Sequence, residues 1–555
     1  MRTPANFSVT GHVPAGFKVH LDAGWRTGHS SGMDRGRVVS PVFVGRAAGL
    51  DRVAGVLHGA ALGDPAVVLV AGEAGVGKSR FVAELLARRA PPGARVLAGE
   101  CNGFAPGSLP YGPIVGALRR LLAAGGAEAG LLDEAGQAVG LLLPELTAAG
   151  QAAGAGGLAA LDQGRMFAQL EAVLDKVSAS APLMLVIEDL HWADRSSLEF
   201  LAYLCHGLHG QRLAIVCTYR DDEVPAVPEL GAWLADLRRG ARLTEVSLPR
   251  FTVAEVGEQV AAILGEAADP GLVAALHERS GGNPYYTELL LSANGSAGGP
   301  GGAGGPPAAL PAVLREMLLA RSAGIAAATR EMLAAIAAAG HPVAHGVVAA
   351  ACARLGMGEE SLLAGLREAA DHHLLVPVTD LGGYAFRHAL LAEAAYDQLL
   401  PGERARLHDA WASVLEERVA GGGRAGPAAV AEVAAHHHKA GHLEAAFGWD
   451  LRAAEAAEQV GGAAEAAGCY RRMLVAWDEI GDAGQEAGFD RIDLLTRLAR
   501  AEDMAGDLSL SRTHIQDAIA LVDSSTEPSR AALLHERLGW LRYFTGRPAA
   551  ALSAA

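Results

Sequence analysis

Cysteine is scarce and scattered in this chain. Its five cysteines, Cys101, Cys205, Cys217, Cys352 and Cys469, are odd in number and never stand in C-x-x-C spacing. That argues against a disulfide framework and reads as small buried hydrophobes in a reducing compartment. Aromatic residues are few, at 5%. Close-packed, Ala-rich helices are favoured over aromatic-rich sheets. Basic residues are outnumbered by acidic ones, 46 against 62, for a net charge of −16. No domain-wide basic surface is implied, which excludes a chain built mainly to hold nucleic acid. No apolar run reaches the roughly 18 residues a membrane span needs. The amino-terminus lacks the apolar core of a signal peptide. The expectation is a cytoplasmic chain with no membrane partner.

One stretch organises what is present. A β-branched apolar run, Val67 to Val70, leads into Gly72, Glu73, Ala74, Gly75, Val76, Gly77, Lys78 and Ser79. This is G-x-x-x-x-G-K-S, the phosphate-binding loop, or Walker A motif. Arg80 follows, and then the helical spacing of Phe81, Val82, Leu85 and Leu86. The chemistry needs this order. Glycines let backbone N–H groups converge on phosphate oxygens, and the new helix points its positive end at them. Lys78 is expected to reach the β- and γ-phosphates, and the Ser79 hydroxyl to ligate Mg²⁺. Gly72 to Arg80 are therefore the candidate contacts for ATP or ADP.

A phosphate loop needs an acidic partner. Residues 182–189 supply one, a buried apolar strand ending in Glu188 and Asp189. One carboxylate would hold Mg²⁺, and the other would polarise the attacking water. In the commonest pattern the first acid takes the metal. Here that position is Glu188, so Asp189 is the alternative metal ligand. Both are candidates as catalytic and as metal residues. A further strand, 213–220, ends in Arg220. An arginine there could sense the γ-phosphate, and a surface arginine is the alternative reading.

At 555 residues the chain has room for three or four domains, on a prior of about 150 residues each. Residues 1–40 lack sustained periodicity and are expected to be disordered, with Met33 an alternative translation start. Residues 41–250 alternate strands and helices, which gives a parallel, three-layer α/β core. Residues 251–293 read as a helical lid, and 294–309 as a Gly/Pro linker. Residues 310–400 fit a winged helix, with two short strands near Leu374 and Gly383. Residues 401–555 are helical, with recurring turn glycines at Gly441, Gly461, Gly506 and Gly546. They suggest stacked helix pairs of the tetratricopeptide type, ending without the polar cap that closes such a stack. The fold class is thus a P-loop α/β core followed by winged-helix and helical-repeat regions.

The phosphate loop, the string Glu188 to Asp194, Thr218 to Asp222, and Gly282 to Pro284 occur in one order. That combination resembles the signal-transduction ATPases with numerous domains, or STAND ATPases. More narrowly, it resembles the large ATP-binding regulators of the LuxR type found in actinobacteria. The resemblance implies that Val44, Gly45 and Arg46 lie beside the adenine, and that Pro284 packs near the base. It also implies a histidine late in the winged helix on the ADP β-phosphate, for which His388 is the candidate. Members usually end in a helix-turn-helix on promoter DNA. None is found before Ala555, so DNA would be a partner only through a segment beyond it.

The reading that follows is an ATP-binding, slowly hydrolysing signal switch, the regulatory part of a transcription regulator. Its helical repeats would sense an unidentified inducer ligand or protein. ADP would hold it closed, and ATP exchange would permit self-association. One rival is a scaffold with an inactive ATPase. The other is a DNA-binding factor acting through the winged helix, but residues 389–400 contain no Lys or Arg. The histidines at 436–438 and 442 invite a metal reading, yet no cysteine or acid completes a zinc set. His191 and Trp192 are expected to fix the turn after the acidic strand. Asp221, Asp222 and Glu223 are expected to form a solvated loop.

Overall fold

The computed structural model describes residues 40–101, 110–123, 137–143, 162–240, 242–296, 325–372, 374–378, 382–387, 389–421, 426–480 and 490–544. The extension before Ser40, the linker beyond Ser296, His388 and Gly546 lie outside these residues.

The first half is a sheet between helices. Its elements are α1 (Ala47–Ala61), β1 (Ala66–Ala71), α2 (Lys78–Arg89), β2 (Arg95–Glu100), α3 (Gly112–Ala123), α4 (Gln137–Leu142), α5 (Gln163–Ser180) and β3 (Leu183–Glu188). There follow α6 (Arg195–His206), β4 (Leu213–Tyr219), α7 (Pro228–Leu237) and β5 (Leu243–Ser247). The five strands run parallel in the order β2-β3-β4-β1-β5. Every residue of β1 and β4 is buried, as both faces of a helix-covered parallel sheet require. Side chains alternate between the two layers. Leu183, Leu185 and Ile187 of β3 join one core with Met166, Leu170 and Phe200, while Met184 and Val186 join the other with Phe81, Val82 and Leu85. The period of two therefore sends Glu188 to the α2 side of the sheet.

This order positions the chemistry. β4 lies between β1 and β3, so the residue after β4 emerges between the phosphate loop and the acidic pair. Ligands of open α/β sheets gather at that carboxyl edge.

Gly99 shows how closely α3 approaches the sheet. A Cβ built there would lie 1.9 Å from the carbonyl oxygen of Pro113. Backbone cannot yield as a flexible side chain can. Gly99→Ala is expected to cost about 1–3 kcal/mol, the usual range for overpacking. A denaturation midpoint equal to the parent's would contradict that close approach.

A three-helix segment follows: α8 (Val253–Leu264), α9 (Pro270–Ser280) and α10 (Pro284–Ser296). A capping box between Thr252 and Glu255 starts α8. The next unit contains α11 (Ala327–Ala339), β6 (Val343–Ala344), α12 (His345–Arg354), α13 (Glu359–Asp371), β7 (Leu375–Val378), β8 (Gly383–Phe386) and α14 (Ala389–Asp397). The two expected strands are β7 and β8. A third, β6, pairs with β8 to give the antiparallel order β6-β8-β7.

The remainder is helical: α15 (Pro401–Gly421), α16 (Pro427–Ala440), α17 (Leu443–Gln459), α18 (Ala463–Ile480), α19 (Arg491–Met504), α20 (Leu508–Leu521) and α21 (Pro528–Phe544). Each packs on its sequence neighbour. Gly441, Gly461 and Gly506 occupy their turns with φ of 80°, 72° and 84°, a region open to glycine. The histidines at the α15–α17 joint bond locally. Nδ1 of His408 and Nδ1 of His436 are 2.8 Å apart, His437 lies 2.7 Å from Glu416, and His438 lies 2.5 Å from Asp450.

The repeats rest against the α/β core. Val460, after α17, is fully buried in the same hydrophobic cluster as one face of the sheet. A Cβ on Gly461 would meet Cα of Gln163 at 2.8 Å.

Candidate functional site

Three glycines shape the phosphate loop. Gly72, Gly75 and Gly77 have φ of 153°, 75° and 95°. A Cβ on Gly72 would lie 2.8 Å from Cγ1 of Val76, and one on Gly75 would lie 3.0 Å from Oδ1 of Asn283. The glycines are thus needed both for backbone direction and for room. Lys78 opens α2 and is 7% exposed. Its Nζ donates to the carbonyls of Gly72 at 2.8 Å and Glu73 at 3.0 Å. Burial lowers its pKa, and the charge of Asp189 opposes that.

The Ser79 hydroxyl donates to Oε2 of Glu188 at 2.5 Å. Of the two acids it is Glu188, the first, that meets the loop serine. Loss of surrounding water, then the charge of Glu100, pushes Glu188 up to about 7. Asp189 begins the turn with φ of 58°, and its N–H donates to Oγ1 of Thr218 at 2.9 Å. Burial raises its carboxyl, and the charges of Lys78 and Arg220 oppose that.

Arg220 is buried, at 8% exposure. Its Nη1 donates to Glu223 at 2.6 Å and its Nη2 to Glu393 of α14 at 3.3 Å. Its guanidinium stacks 4.7 Å from the centre of the Trp192 ring. Glu223 is therefore a partner of the site, where a solvated loop was expected. Beneath lies His191, whose side chain is fully enclosed, 3.9 Å from Asp189 and 3.8 Å from Glu223. Among the described residues neither of its ring nitrogens has a hydrogen-bond partner. Burial, then Arg220 and Lys78, drives its pKa down to about 3, so it is neutral. His191 and Trp192 do form a turn, Leu190–Trp192. Trp192 also floors the arginine.

The amino-terminal motif flanks the loop. Val44 is buried with Phe251, Val256 and Tyr285. A Cβ on Gly45 would collide with Oε1 of Glu255 at 2.3 Å. Arg46 donates to the carbonyl of Pro249 at 3.1 Å, and its Nη1 would be 3.3 Å from a Cβ on Gly77. Burial holds its pKa down to about 10. Arg80 turns from the loop toward the carbonyls of Ser40 and Val42, at 2.7 and 2.8 Å.

Pro284 opens α10, and its carbonyl accepts from Gln259 at 2.9 Å. A direct side-chain link comes from the residue beside it, to which the sequence pattern gives no role. Asn283 is 1% exposed, and its Nδ2 donates to the carbonyl of Ala74 at 2.9 Å. Glu73, a candidate phosphate-loop contact, is bridged by Arg250 at 2.6 Å, a partner far along the chain. An asparagine between glycine and proline is the available signal for the first. Nothing local announces the second.

The residues fit a nucleotide with its magnesium. The loop is a cradle that Cβ atoms would fill. A serine hydroxyl beside dehydrated carboxylates is the hard-oxygen donor set that Mg²⁺ prefers. Ser79 and Glu188 would hold the ion, with Asp189 adjacent.

Residues 42–216 match the family described as AAA ATPase domain. An uncharacterized protein of Rhizobium meliloti (strain 1021) is 23% identical over 549 residues, which is 94% of this chain and 51% of that protein. The chain thus spans about half the length of the curated relative it matches. Among solved structures, the STAND protein with a tetratricopeptide repeat sensor from Pyrococcus horikoshii aligns with a TM-score of 0.50 at 14% identity. The alignment covers 93% of this chain and 64% of that one. At that identity the likeness is one of fold, a P-loop α/β core joined to helical repeats.

Proposed function

We propose that this chain is an ATP-binding, slowly hydrolysing switch, the regulatory part of a LuxR-type transcription regulator whose repeats sense a ligand or protein. One observation carries the reading. Among the described residues, the lid and the winged-helix-like unit touch the nucleotide site, and the repeats touch the helix that follows its acidic strand. Asn283 reaches the loop from the α8–α10 lid. Glu393 reaches Arg220 from the winged-helix-like unit. The repeats hold α6, which follows the acidic strand, through Ser196 and Arg195. A nucleotide that shifts any of these contacts changes the relation between sensor and core. Differential affinity of two such arrangements for ADP and ATP is what a switch requires. Self-association of the ATP form belongs to the same proposal, and contact with DNA does so only if a helix-turn-helix follows Ala555.

Bound Mg²⁺ would supply charge to the phosphates. Lys78 would bind the β- and γ-phosphates, and the loop N–H groups would orient them. Asp189, beside Lys78 and Arg220, would take the water-polarising role, because Glu188 is engaged by Ser79. Trp192 covers one face of the Arg220 guanidinium, and the His191 beside it is neutral.

The two acids separate this switch from an inactive scaffold. Glu188→Gln is expected to weaken Mg²⁺-dependent ATP binding by roughly ten-fold, the scale of one charge-assisted contact. Asp189→Asn should spare binding and slow turnover by about 100-fold or more, the usual scale for a general base. Calorimetric titration and phosphate release measure the two effects. Parent-like turnover in both variants would show that neither acid is catalytic, and no turnover in the parent would leave the scaffold reading standing.

A further inference from the structure

We infer that Glu393 is the group through which the winged-helix-like unit reads the nucleotide, by competing with the γ-phosphate for Arg220. The inference rests on the switch reading above and names its regulator. Arg220 has two carboxylate partners of different kinds. Glu223 lies three residues along the same loop, and Glu393 lies 173 residues away. The Glu223 contact is a brace that travels with the arginine. The Glu393 contact joins two separately packed units, and α14 buries Leu391 in the second of them.

Position makes the two demands on Arg220 exclusive. It emerges between β1 and β3, the strands that carry the phosphate loop and the acidic pair. Its charge already acts on Lys78 and Asp189. A terminal phosphate held by Lys78 would therefore enter the field of Arg220. Phosphate offers three acceptor oxygens and more charge than a carboxylate, and a guanidinium fork fits either one. At 3.3 Å the Glu393 contact is the looser of the two, so it is the one that yields. Trp192 beneath the guanidinium supplies a flat surface over which it can turn. ADP lacks the competing phosphate, so Arg220 stays with Glu393 and the unit stays on the core. ATP recruits the arginine and releases α14. Glu393 is thus a positioning residue and touches no reacting atom.

The test uses the full chain and titrates Mg²⁺ with ADP or with a non-hydrolysable ATP analogue. E393Q removes the charge and keeps the shape. It is expected to strengthen analogue binding by roughly ten-fold, the scale of one charge-assisted hydrogen bond, with ADP affinity unchanged or weaker. E393D should return the analogue-to-ADP ratio toward the parent's. In an R220A background, E393Q should leave the ratio unchanged, because both effects pass through one contact. E393A serves as a second neutral variant should E393Q lose solubility. An unchanged ratio in E393Q and E393A, or the same change with and without Arg220, overturns the inference. A parent that binds neither nucleotide overturns the switch reading itself, which the parent titration alone reveals.

Discussion

Lys78→Ala is expected to lower ATP affinity by more than about 100-fold and to leave the fold standing. The lysine is enclosed by the loop, and its ammonium meets only backbone carbonyls among the described residues. Burial works against its charge, and Asp189 works for it. A cation kept dehydrated is poised for an anion, and removing one charge-assisted hydrogen bond costs about 1.5–3 kcal/mol. Lys78 would bond to two phosphates, so the two costs combine. No core residue depends on its stem, because Val76, Phe81 and Val82 carry the packing of that end of α2. Titration of the variant with ATP and Mg²⁺ checks the first half, and the thermal midpoint without nucleotide checks the second. Parent-like affinity would remove the loop from the account.

Glu465→Lys is expected to detach the repeats from the core. Asp194 caps α6 and accepts from the N–H of Ser197 at 2.7 Å, Tyr111 at 2.9 Å and Gly112 at 3.1 Å. Glu465 of α18 accepts from the N–H of Ser196 at 3.0 Å and from its hydroxyl at 2.6 Å. The positive end of one helix is therefore shared between its own cap and a carboxylate of the sensor. Arg195 adds bonds to Ala505 at 2.6 Å and Asp507 at 3.2 Å. A lysine at 465 would bury a cation against that helix end, at a cost of about 3–5 kcal/mol. A larger radius of gyration in X-ray scattering is the expected readout, and a parent-like radius would contradict it.

The same contact is proton-linked. Burial, and then the charge of Glu465, raises the Asp194 carboxyl up to about 7, and burial raises Glu465. The docked pair thus holds a proton more tightly than the undocked one, in which Glu465 returns toward the ordinary range near ~4 and its charge leaves Asp194. Docking is strongest below that range and weakens as pH rises through about 7, above which it is flat. Cys101, Tyr111, Glu199 and Cys469 also face the pair. Glu465→Gln keeps the acceptor and loses the charge, so it should flatten this dependence.

The phosphate loop and its sheet were legible because their residues are contiguous and their apolar runs alternate without interruption. The choice between Glu188 and Asp189 was harder, since spacing alone allows either. It turns on which face of β3 each side chain takes, and Met184 and Val186 carry Glu188 to the α2 side. Arg220 could be placed at a strand end, but Glu393 could not be found from local pattern across 173 residues. Pro284 stands out in sequence as a proline, while both its neighbours bond to the loop, Asn283 to Ala74 and the Tyr285 N–H to Gly75. β6 is two residues long, too short to carry a period. Glu465 sits in an alanine-rich helix, where an acid reads as a solvated face. Its partners appear only once the repeats fold back on the core.

The central claim is that nucleotide identity sets how the repeats sit on the core. Leu62 on the core and Val475 on α18 are 89% and 64% exposed, so both can carry fluorophores without disturbing packing. The distance between them should be measured by single-molecule energy transfer in the full chain. Mg²⁺ with ADP is compared with Mg²⁺ and a non-hydrolysable ATP analogue. The expected result is two distinct distributions, short with ADP and long with the analogue, and no response to the analogue in Lys78→Ala. Identical distributions with both nucleotides, each at saturation, would contradict the claim.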